Sequence, residues 1–225
     1  MRVAVAQMNV VLGDLAGNAH RIADAAKRAC AQGADLLLTP ELSLCGYPPE
    51  DLLLRPDFYR SVDLALVALT QDTVDLDIAI VVGHPEQAGD LYYNAASVLY
   101  QGKRLCTYRK QHLPQYEVFD ELRYFTAGGE TVVFDHAGTR FGLAICEDIW
   151  FAAPAQAASG LFAQPARHRA EGVLASRAVP LGVDDHVTAG LGRTVDDAVG
   201  EELQRRERLA PLADDAAGVL ALDLE

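Results

Sequence analysis

The sequence predicts an α/β protein with mixed β-sheets, and three observations lead to that prediction. The chain opens with an apolar strand pattern, a helical pattern and a second strand pattern, an order typical of layered α/β proteins. A second helical pattern followed by an apolar strand repeats this unit. Two later stretches have the pattern of β-hairpins, which adds antiparallel pairs to the sheet. At 225 residues, with 50% of them apolar, the chain can bury one large core.

The first part of the chain alternates predicted strands with predicted helices. Asn18 precedes a run of apolar residues at helical spacing and is the expected N-cap, and Gly33 is expected to close the same helix. Continuous apolar runs of strand length predict strands that are covered on both faces. The elements predicted here are strands at 2–10, 34–39 and 77–83 and helices at 18–32 and 57–70.

The second part of the chain is predicted to form two hairpins, followed by a segment of weak pattern. Each hairpin joins two apolar stretches through a short turn that contains a glycine. After Trp150 the composition shifts to Ala, Gln, Arg and Pro with little apolar periodicity, so the C-terminal third is expected to be irregular. The predicted strands are 91–100 with 104–110, 131–135 with 140–146, a weak strand within 172–180, and a last strand at 218–224.

The charge of the chain excludes some partners. A net charge of −13 and a pI of about 4.8 argue against a nucleic-acid or anionic-membrane partner, because phosphate binding needs a basic surface. The apolar run at the start is interrupted by Gln7, Asn9 and Asp14, and no small-residue cleavage site follows it. No uninterrupted apolar run reaches the length of a membrane span. The expected location is the cytoplasm.

The cysteines do not have the spacing of a structural framework. Four are present, widely scattered and without a C-x-x-C pair: Cys30, Cys45, Cys106 and Cys146. This distribution favours reduced thiols over disulfides or a zinc site, and no metal is expected.

The stretch around Cys146 suggests a nucleophile. An apolar run of strand length, 140–145, ends at this cysteine, and two carboxylates follow at once. A buried strand that delivers a thiol to its C-terminal end, next to a turn, is one way in which α/β folds present a nucleophile. The alternative is that Cys146 is a small core residue with no chemical role.

Two further strand ends carry complementary chemistry. Glu41 follows the strand at 34–39 and could take the thiol proton, and Lys110 ends a hairpin strand and could hold an oxyanion and lower the thiol pKa. The backbone N–H of Glu147, directly after Cys146, could add a second oxyanion donor. Together these groups suggest covalent acyl transfer. Taken singly, Glu41 could be a solvated carboxylate and Lys110 a surface cation.

Three segments give the chain a family resemblance: TPELSLCGYPPEDLL at 39–53, YRKQHLPQYEVFDELRYF at 108–125 and GLAICEDIW at 142–150. Together they resemble the carbon–nitrogen hydrolase (nitrilase) superfamily. The run after Lys110, LPQYEVFDE, narrows the resemblance to the amino-terminal glutaminase domains of glutamine-dependent NAD synthetases, and YPPEDLL agrees with it. The similarity covers about residues 1–150.

The resemblance implies an αββα sandwich in which Glu41 is the general base, Lys110 the oxyanion stabiliser and Cys146 the nucleophile. It also implies four substrate-binding residues. Tyr116 would contact glutamine, Glu121 would bind the α-amino group of the substrate, and two aromatic side chains would line the pocket: Phe119 and Trp150. For these two aromatics the alternative is core packing.

The chain departs from the family pattern after residue 150. Residues 151–215 lack the family's Asn-x-Ser-Pro-like turn and Gly-Gly-Gln-Asp-like stretch, so one carbon–nitrogen hydrolase domain is expected over 1–225, with 151–215 divergent and shortened. No phosphate-binding loop motif is found, so no cofactor is expected in this chain. ATP and a nicotinate dinucleotide would belong to an absent synthetase domain. The expected partners are glutamine and either a further copy of the chain or a synthetase domain.

Three functions remain open from the sequence. The first is a glutaminase that supplies ammonia for NAD biosynthesis through a cysteine thioester. The second is a free-standing amidase of the same superfamily that acts on another small amide, and LPQYEVFDE argues against it. The third is a non-catalytic remnant that serves in binding or assembly, an idea motivated by the weak pattern after residue 150.

Overall fold

The structure is a computed structural model. It describes residues 1–116, 119–151, 154, 157 and 158, and the backbone of three later strands at 178–181, 187–189 and 219–223. All statements below concern these residues.

The chain alternates strands and helices up to residue 88, and the later described elements are strands and short helical turns. The helices are α1 (Leu15–Ala31) and α2 (Pro56–Asp72), with short helical turns at Glu50–Leu54, Glu121–Arg123 and Cys146–Trp150. The strands are β1 (Val3–Ala6), β2 (Leu36–Leu38), β3 (Ala79–Ala88), β4 (Leu91–Tyr100), β5 (Lys103–Arg109), β6 (Gln115–Tyr116), β7 (Phe119–Asp120), β8 (Val133–His136), β9 (Thr139–Ile145), β10 (Ala178–Leu181), β11 (Val187–Ala189) and β12 (Val219–Asp223).

The main sheet has seven described strands in the order β10-β11-β1-β2-β3-β4-β5. Its centre is parallel: Val3 lies opposite Leu36, and Leu36 lies opposite Ala79. β4 then pairs with β3 in antiparallel orientation, and β5 pairs with β4 in the same way. The C-terminal ends of β2 and β5 lie at the same edge of the sheet, because two antiparallel steps restore the direction of β3.

Helices α1 and α2 cover one face of the main sheet. Their buried side chains recur at helical spacing, as Ile22, Ala26 and Ala29 do in α1, and they pack against Ile80 and Val82 of β3. The many alanines on α1 let the helix approach the sheet closely. The spacing of apolar residues therefore explains why these two segments are helical and which face each one buries.

A second sheet, in the order β12-β9-β8, covers the other face. Phe141, Leu143 and Ile145 of β9 pack against a core that includes Val81 and Val98 of the main sheet. The described residues thus form three stacked layers, one helical and two of β-sheet. The predicted α/β class with mixed sheets is confirmed. The expected second helical layer lies outside the described residues.

One local prediction is wrong. Asn18 is not the N-cap of the first helix, because the helix begins a turn earlier and Asp14 accepts the hydrogen bond from the Gly17 N–H at 3.0 Å. Asn18 is instead buried within α1, where its amide exchanges hydrogen bonds with the backbone of Val11. This bond ties the loop after β1 to the helix.

The C-terminal third was expected to be irregular. Within 151–215 the structure describes β10 and β11, which join the main sheet beside β1, and the rest of that segment lies largely outside the described residues. The last predicted strand, 218–224, corresponds to β12. Among the described helices, none combines the length and the apolar character that crossing a bilayer would require.

Candidate active site

The candidate residues lie at the ends of three strands and on a fourth. Glu41 follows β2, Lys110 follows β5 and Cys146 follows β9, while Asn94 lies within β4. Glu121 begins the short helical turn that comes after the β6–β7 hairpin. The stacking of the two sheets brings the end of β9 over the ends of β2 and β5.

Four of these side chains form one hydrogen-bonded group, which we call the buried quartet: Glu41, Asn94, Lys110 and Glu121. The Lys110 Nζ donates to Glu41 Oε1 at 2.6 Å and to Glu121 Oε1 at 2.9 Å. The Asn94 amide donates to Glu41 Oε1 at 2.6 Å and to Glu121 Oε2 at 3.3 Å. No residue of the quartet is more than 6% exposed. Such burial is tolerated only because each charge is paired and hydrogen-bonded.

The quartet has unequal numbers of opposite charges. Burial lowers the pKa of the Lys110 ammonium, yet the negative charges of Glu41 and Glu121 outweigh burial and raise it above its ordinary value. Lys110 therefore stays charged. Burial and the nearby charge of Glu41 raise the pKa of the Glu121 carboxyl to about 7, although Lys110 and Asn94 oppose the shift. Near neutral pH the quartet can accordingly gain or lose a single proton.

Cys146 lies beside this group at the edge of the sandwich core. It is half-buried, and its backbone has a φ of +48°, in the left-handed region that non-glycine residues rarely adopt. Burial, and after it the negative charges of Glu41 and Glu121, raise the pKa of its thiol to about 12, although the charge of Lys110 opposes the shift. The thiol is therefore neutral at physiological pH and needs a base when it attacks.

Asp148 holds the turn that carries the thiol. Its buried carboxylate accepts hydrogen bonds from the backbone N–H of Ile145 at 3.0 Å, Gln111 at 3.1 Å and His112 at 2.7 Å. It also accepts one from the Tyr108 hydroxyl at 2.9 Å. Burial raises the pKa of Asp148, and these donors oppose the shift. One carboxylate thus connects the segment before Cys146 to the segment after Lys110.

The loop that carries Glu41 is held against β3. Ser43 and Leu44 bond to the backbone carbonyl of Gly83, and Leu42 has a φ of +51°. A Cβ on Gly83 would lie 2.5 Å from the Leu42 nitrogen and 2.6 Å from the Pro40 oxygen. Glycine at position 83 therefore lets the loop approach the strand closely enough to place Glu41.

Two of the predicted substrate residues, Tyr116 and Phe119, lie on the β6–β7 hairpin. Tyr116 and Phe119 face each other across the β6–β7 hairpin with ring centroids 5.6 Å apart. The ring centroids of Tyr47 and Phe119 are 6.3 Å apart. The Tyr47 hydroxyl donates a hydrogen bond to Glu121 Oε1 at 3.3 Å. Trp150 is half-buried at the end of the Cys146–Trp150 turn.

Glu147, whose N–H is the predicted second oxyanion donor, follows Cys146 in the same turn and is half-buried. The side chain predicted to bind the α-amino group, Glu121, has both oxygens within hydrogen-bond distance of quartet members. In the part of the chain that the structure describes, no cluster of side chains suits a metal ion.

Sequence reasoning missed Asn94, Tyr47 and the structural role of Asp148. A signal for Asn94 was present, because it is an amide in an otherwise apolar strand, and a buried polar group of this kind must have a partner. Tyr47 and Asp148 lie inside the motifs that carried the resemblance, but only the folded chain shows their contacts.

Comparison with known proteins gives consistent matches over this part of the chain. The family model described as carbon-nitrogen hydrolase matches residues 2–160. The glutamine-dependent NAD(+) synthetase of Xylella fastidiosa is 46% identical over 157 residues, which is 68% of this chain and 28% of the relative. That of Thermotoga maritima is 45% identical over 150 residues, 67% of this chain and 26% of the relative. The chain spans less than a third of the length of these curated relatives.

The solved structures that resemble this chain include a glutamine-dependent NAD+ synthetase and an amidase. The glutamine-dependent NAD+ synthetase of Acinetobacter baumannii superposes with a TM-score of 0.65 at 39% identity, over 72% of this chain and 30% of that one. A mutant amidase from Nesterenkonia sp. AN1, with the acetamide moiety of fluoroacetamide added covalently at its active-site cysteine, superposes with a TM-score of 0.63 at 29% identity. This match covers 72% of the present chain and 61% of the amidase.

Proposed function

This chain belongs to the carbon–nitrogen hydrolase family, and on that premise we propose that it is a glutaminase that releases ammonia for NAD biosynthesis. Glutamine and water would be converted to glutamate and ammonia through a thioester on Cys146. Glu41 is the general base, Lys110 is an oxyanion donor, and the N–H of Glu147 is a second donor.

The observation that carries the proposal is the way Lys110 is held beside Cys146. An ammonium has three N–H donors, and two of them bind Glu41 and Glu121. The third is left for an oxygen atom of the substrate. A positive charge that is fixed and buried before substrate arrives stabilises a developing oxyanion without reorganisation.

The first half of the proposed reaction is acylation of Cys146. The Cys146 sulfur attacks the δ-carbonyl carbon of glutamine while the thiol proton passes to Glu41. Lys110 and the Glu147 N–H stabilise the oxyanion. When the tetrahedral intermediate collapses, the C–N bond breaks, Glu41 returns the proton to the leaving nitrogen, and ammonia departs.

Deacylation uses the same groups with water as the nucleophile. Glu41 takes a proton from water, whose oxygen attacks the thioester carbonyl. The C–S bond then breaks, the thiol of Cys146 regains the proton, and glutamate leaves. A neutral thiol in the resting site makes the base necessary in both halves of the reaction.

Glutamine is favoured over other amides by the relatives and by the residues around the quartet. The curated relatives named above are glutamine-dependent NAD(+) synthetases. In the proposed site Tyr116 contacts the glutamine, and Glu121 binds its α-amino group through the negative charge of the carboxylate. The second candidate is an amidase for another small amide, favoured by the similarity to the Nesterenkonia enzyme at nearly the same TM-score.

The acceptor of the ammonia is proposed to be a synthetase unit that uses ATP and a nicotinate dinucleotide. The support is that the curated relatives are much longer than the part this chain matches. Such a unit could belong to the same assembly or to a partner.

The test is hydrolysis of glutamine by the purified chain, with glutamate and ammonia measured separately. Asparagine and short aliphatic amides are assayed beside it, and Cys146→Ala is the control for contaminating activity. We expect equal amounts of glutamate and ammonia from glutamine and none from the variant. Turnover of an aliphatic amide that exceeds turnover of glutamine would instead support the second candidate. A folded chain with no Cys146-dependent turnover of any amide would contradict both.

A further inference from the structure

Asn94 touches every charged member of the buried quartet. Its side-chain nitrogen donates to both carboxylates, Glu41 at 2.6 Å and Glu121 at 3.3 Å. Its backbone carbonyl accepts a hydrogen bond from the backbone N–H of Lys110 at 2.8 Å. Asn94 is 1% exposed, so solvent cannot replace these contacts. A neutral side chain at this place has a connecting role that the reaction scheme above does not use.

The orientation of the Asn94 amide follows from its partners. Glu41 Oε1 and Glu121 Oε2 are both carboxylate oxygens, so the atom that faces them must be the NH2 group and not the amide oxygen. Each of the two N–H bonds of the amide can therefore bind a different carboxylate. The amide oxygen is buried without a hydrogen-bond partner among the described residues.

These contacts make the two oxygens of Glu41 unequal. Oε1 accepts from Lys110 and from Asn94, both at 2.6 Å. Oε2 is also buried but accepts no hydrogen bond of good geometry from the described residues. A carboxylate oxygen that already receives two short hydrogen bonds is a poor base, whereas the free one is a good base.

We propose that Asn94 is a positioning residue that selects Glu41 Oε2 as the base oxygen and favours the anionic form of the two carboxylates of the quartet. The proposal rests on the function proposed above, because it deepens the role assigned to Glu41. Asn94 supplies two donors to a pair of like charges without adding a charge of its own. A second lysine would neutralise the base, and an apolar residue would leave both carboxylates short of a donor.

Other charged and titratable groups also face the quartet. Tyr47 donates to Glu121 at 3.3 Å, and Cys146 lies within range of the charges of Glu41, Lys110 and Glu121. Removing the two donors of Asn94 destabilises the anionic form of the carboxylates. The pKa at which the quartet takes up a proton should therefore rise.

The test compares Asn94→Asp and Asn94→Ala with the natural chain. The readout is the pH dependence of Cys146 alkylation by iodoacetamide, measured by mass spectrometry of the Cys146 peptide. Alkylation does not require glutamine, so it reports on Asn94 even if the glutaminase proposal fails. Ser97→Ala is the matched control, because Ser97 is buried on the same strand and bonds His84 and Thr107, outside the quartet.

We expect the acid limb of the alkylation profile to move to higher pH by about 1 unit or more in both Asn94 variants. Asn94→Asp should move further, since it adds a third carboxyl group. At neutral pH the rate should fall about 100-fold, the scale of loss for a misplaced catalytic group. Ser97→Ala should leave the pH profile in place, whatever stability it loses.

A fall in rate with an unshifted pH profile in both Asn94 variants would overturn the proposal, because it would show a purely structural role. If neither variant folds, the natural chain provides the second measurement. The side-chain amide protons of Asn94, observed by NMR, should shift as the pH is lowered through about 7, where the Glu121 carboxyl titrates. Amide protons that do not respond would equally overturn the proposal.

Discussion

Tyr108 and Asp148 connect the strand that leads to the lysine with the turn that carries the thiol. The Tyr108 hydroxyl donates to Asp148 Oδ2 at 2.9 Å, and both residues are buried. Tyr108 lies on β5 two positions before Lys110, and Asp148 lies two positions after Cys146. A hydrogen bond between the two sheets thus fixes the position of Cys146 relative to Lys110.

Asp148→Asn should disturb this connection. Each oxygen of the Asp148 carboxylate accepts two hydrogen bonds. The amide oxygen of an asparagine could keep two of them, but its NH2 group would face the other two donors and leave them without an acceptor. We expect a loss of about 1–3 kcal/mol in the free energy of unfolding and slower alkylation of Cys146. Chemical denaturation and peptide mapping measure the two effects. Asp75→Asn, at an exposed position, is the control and should change neither.

A glutamine analogue with an electrophile in place of its side-chain amide should label Cys146 and spare the other thiols. Cys45 is fully buried, and burial raises the pKa of its thiol to about 12 without a neighbouring base or cation. Cys146→Ala should abolish labelling, while Cys30→Ala should retain it. Equal labelling of Cys45 in the folded chain would show that the nucleophile is assigned to the wrong residue.

Lys110→Ala should affect both catalysis and stability. Loss of one oxyanion donor lowers kcat by about 100- to 1000-fold. The variant also leaves two buried carboxylates without their cation, which should cost about 3–5 kcal/mol of unfolding free energy unless they take up a proton. Lys103→Ala, on an exposed part of β5, is the control for loss of a lysine. A Lys110 variant of unchanged kcat would exclude the oxyanion role.

Glu121→Gln should discriminate between substrates. If the charge of Glu121 binds the α-amino group of glutamine, its removal should raise KM for glutamine far more than KM for an amide without that group. Because Glu121 also bonds Lys110, some loss of kcat is expected for both substrates. The comparison of KM values separates the two effects. Equal changes in KM on the two substrates would contradict a role for Glu121 in binding the ammonium.

The pH dependence of stability provides a further test of Glu121. Its folded-state pKa is raised from 4.5 to about 7, so the folded chain binds a proton in this interval that the unfolded chain has released. This contribution to stability is fully present below pH 4.5 and is lost as the pH rises through about 7. Glu121→Gln should flatten this part of the curve, whereas Glu130→Gln should not. Thermal unfolding across this pH range is the measurement.

The sequence predicts the catalytic candidates better than it predicts their surroundings. Glu41, Lys110 and Cys146 each end an apolar run, and a strand end is visible as the point where the run stops. The carboxylate partners of Asn94 are 27 and 53 residues away in sequence and Tyr108 is 40 residues from Asp148, so no local pattern reveals these contacts. The contacts of Asn94 require the assembled main sheet and the segment that follows the β6–β7 hairpin, and the contact between Asp148 and Tyr108 also requires the two sheets to stack.

Local chemistry also misled the prediction at the first helix. Asn18 and Asp14 are both good N-cap residues, and the spacing of apolar residues favoured the later one. The amide of Asn18 is occupied by the backbone of Val11, a contact that forms only when the loop after β1 packs on α1. Competition between a local cap and a tertiary contact cannot be settled from the chain alone.

The pairing of β9 with β12 determines when the second sheet can be completed during translation. β9 leads to the nucleophile, and its neighbours are β8 on one side and β12 on the other. The register runs from Val219 opposite Ile145 to Asp223 opposite Phe141. On a ribosome, β8 and β9 emerge together, but β12 emerges only after the intervening segment has been translated. The strand that leads to Cys146 therefore acquires its second neighbour only after β12 has been translated, and Cys146 of a nascent chain should become reactive only after β12 has emerged.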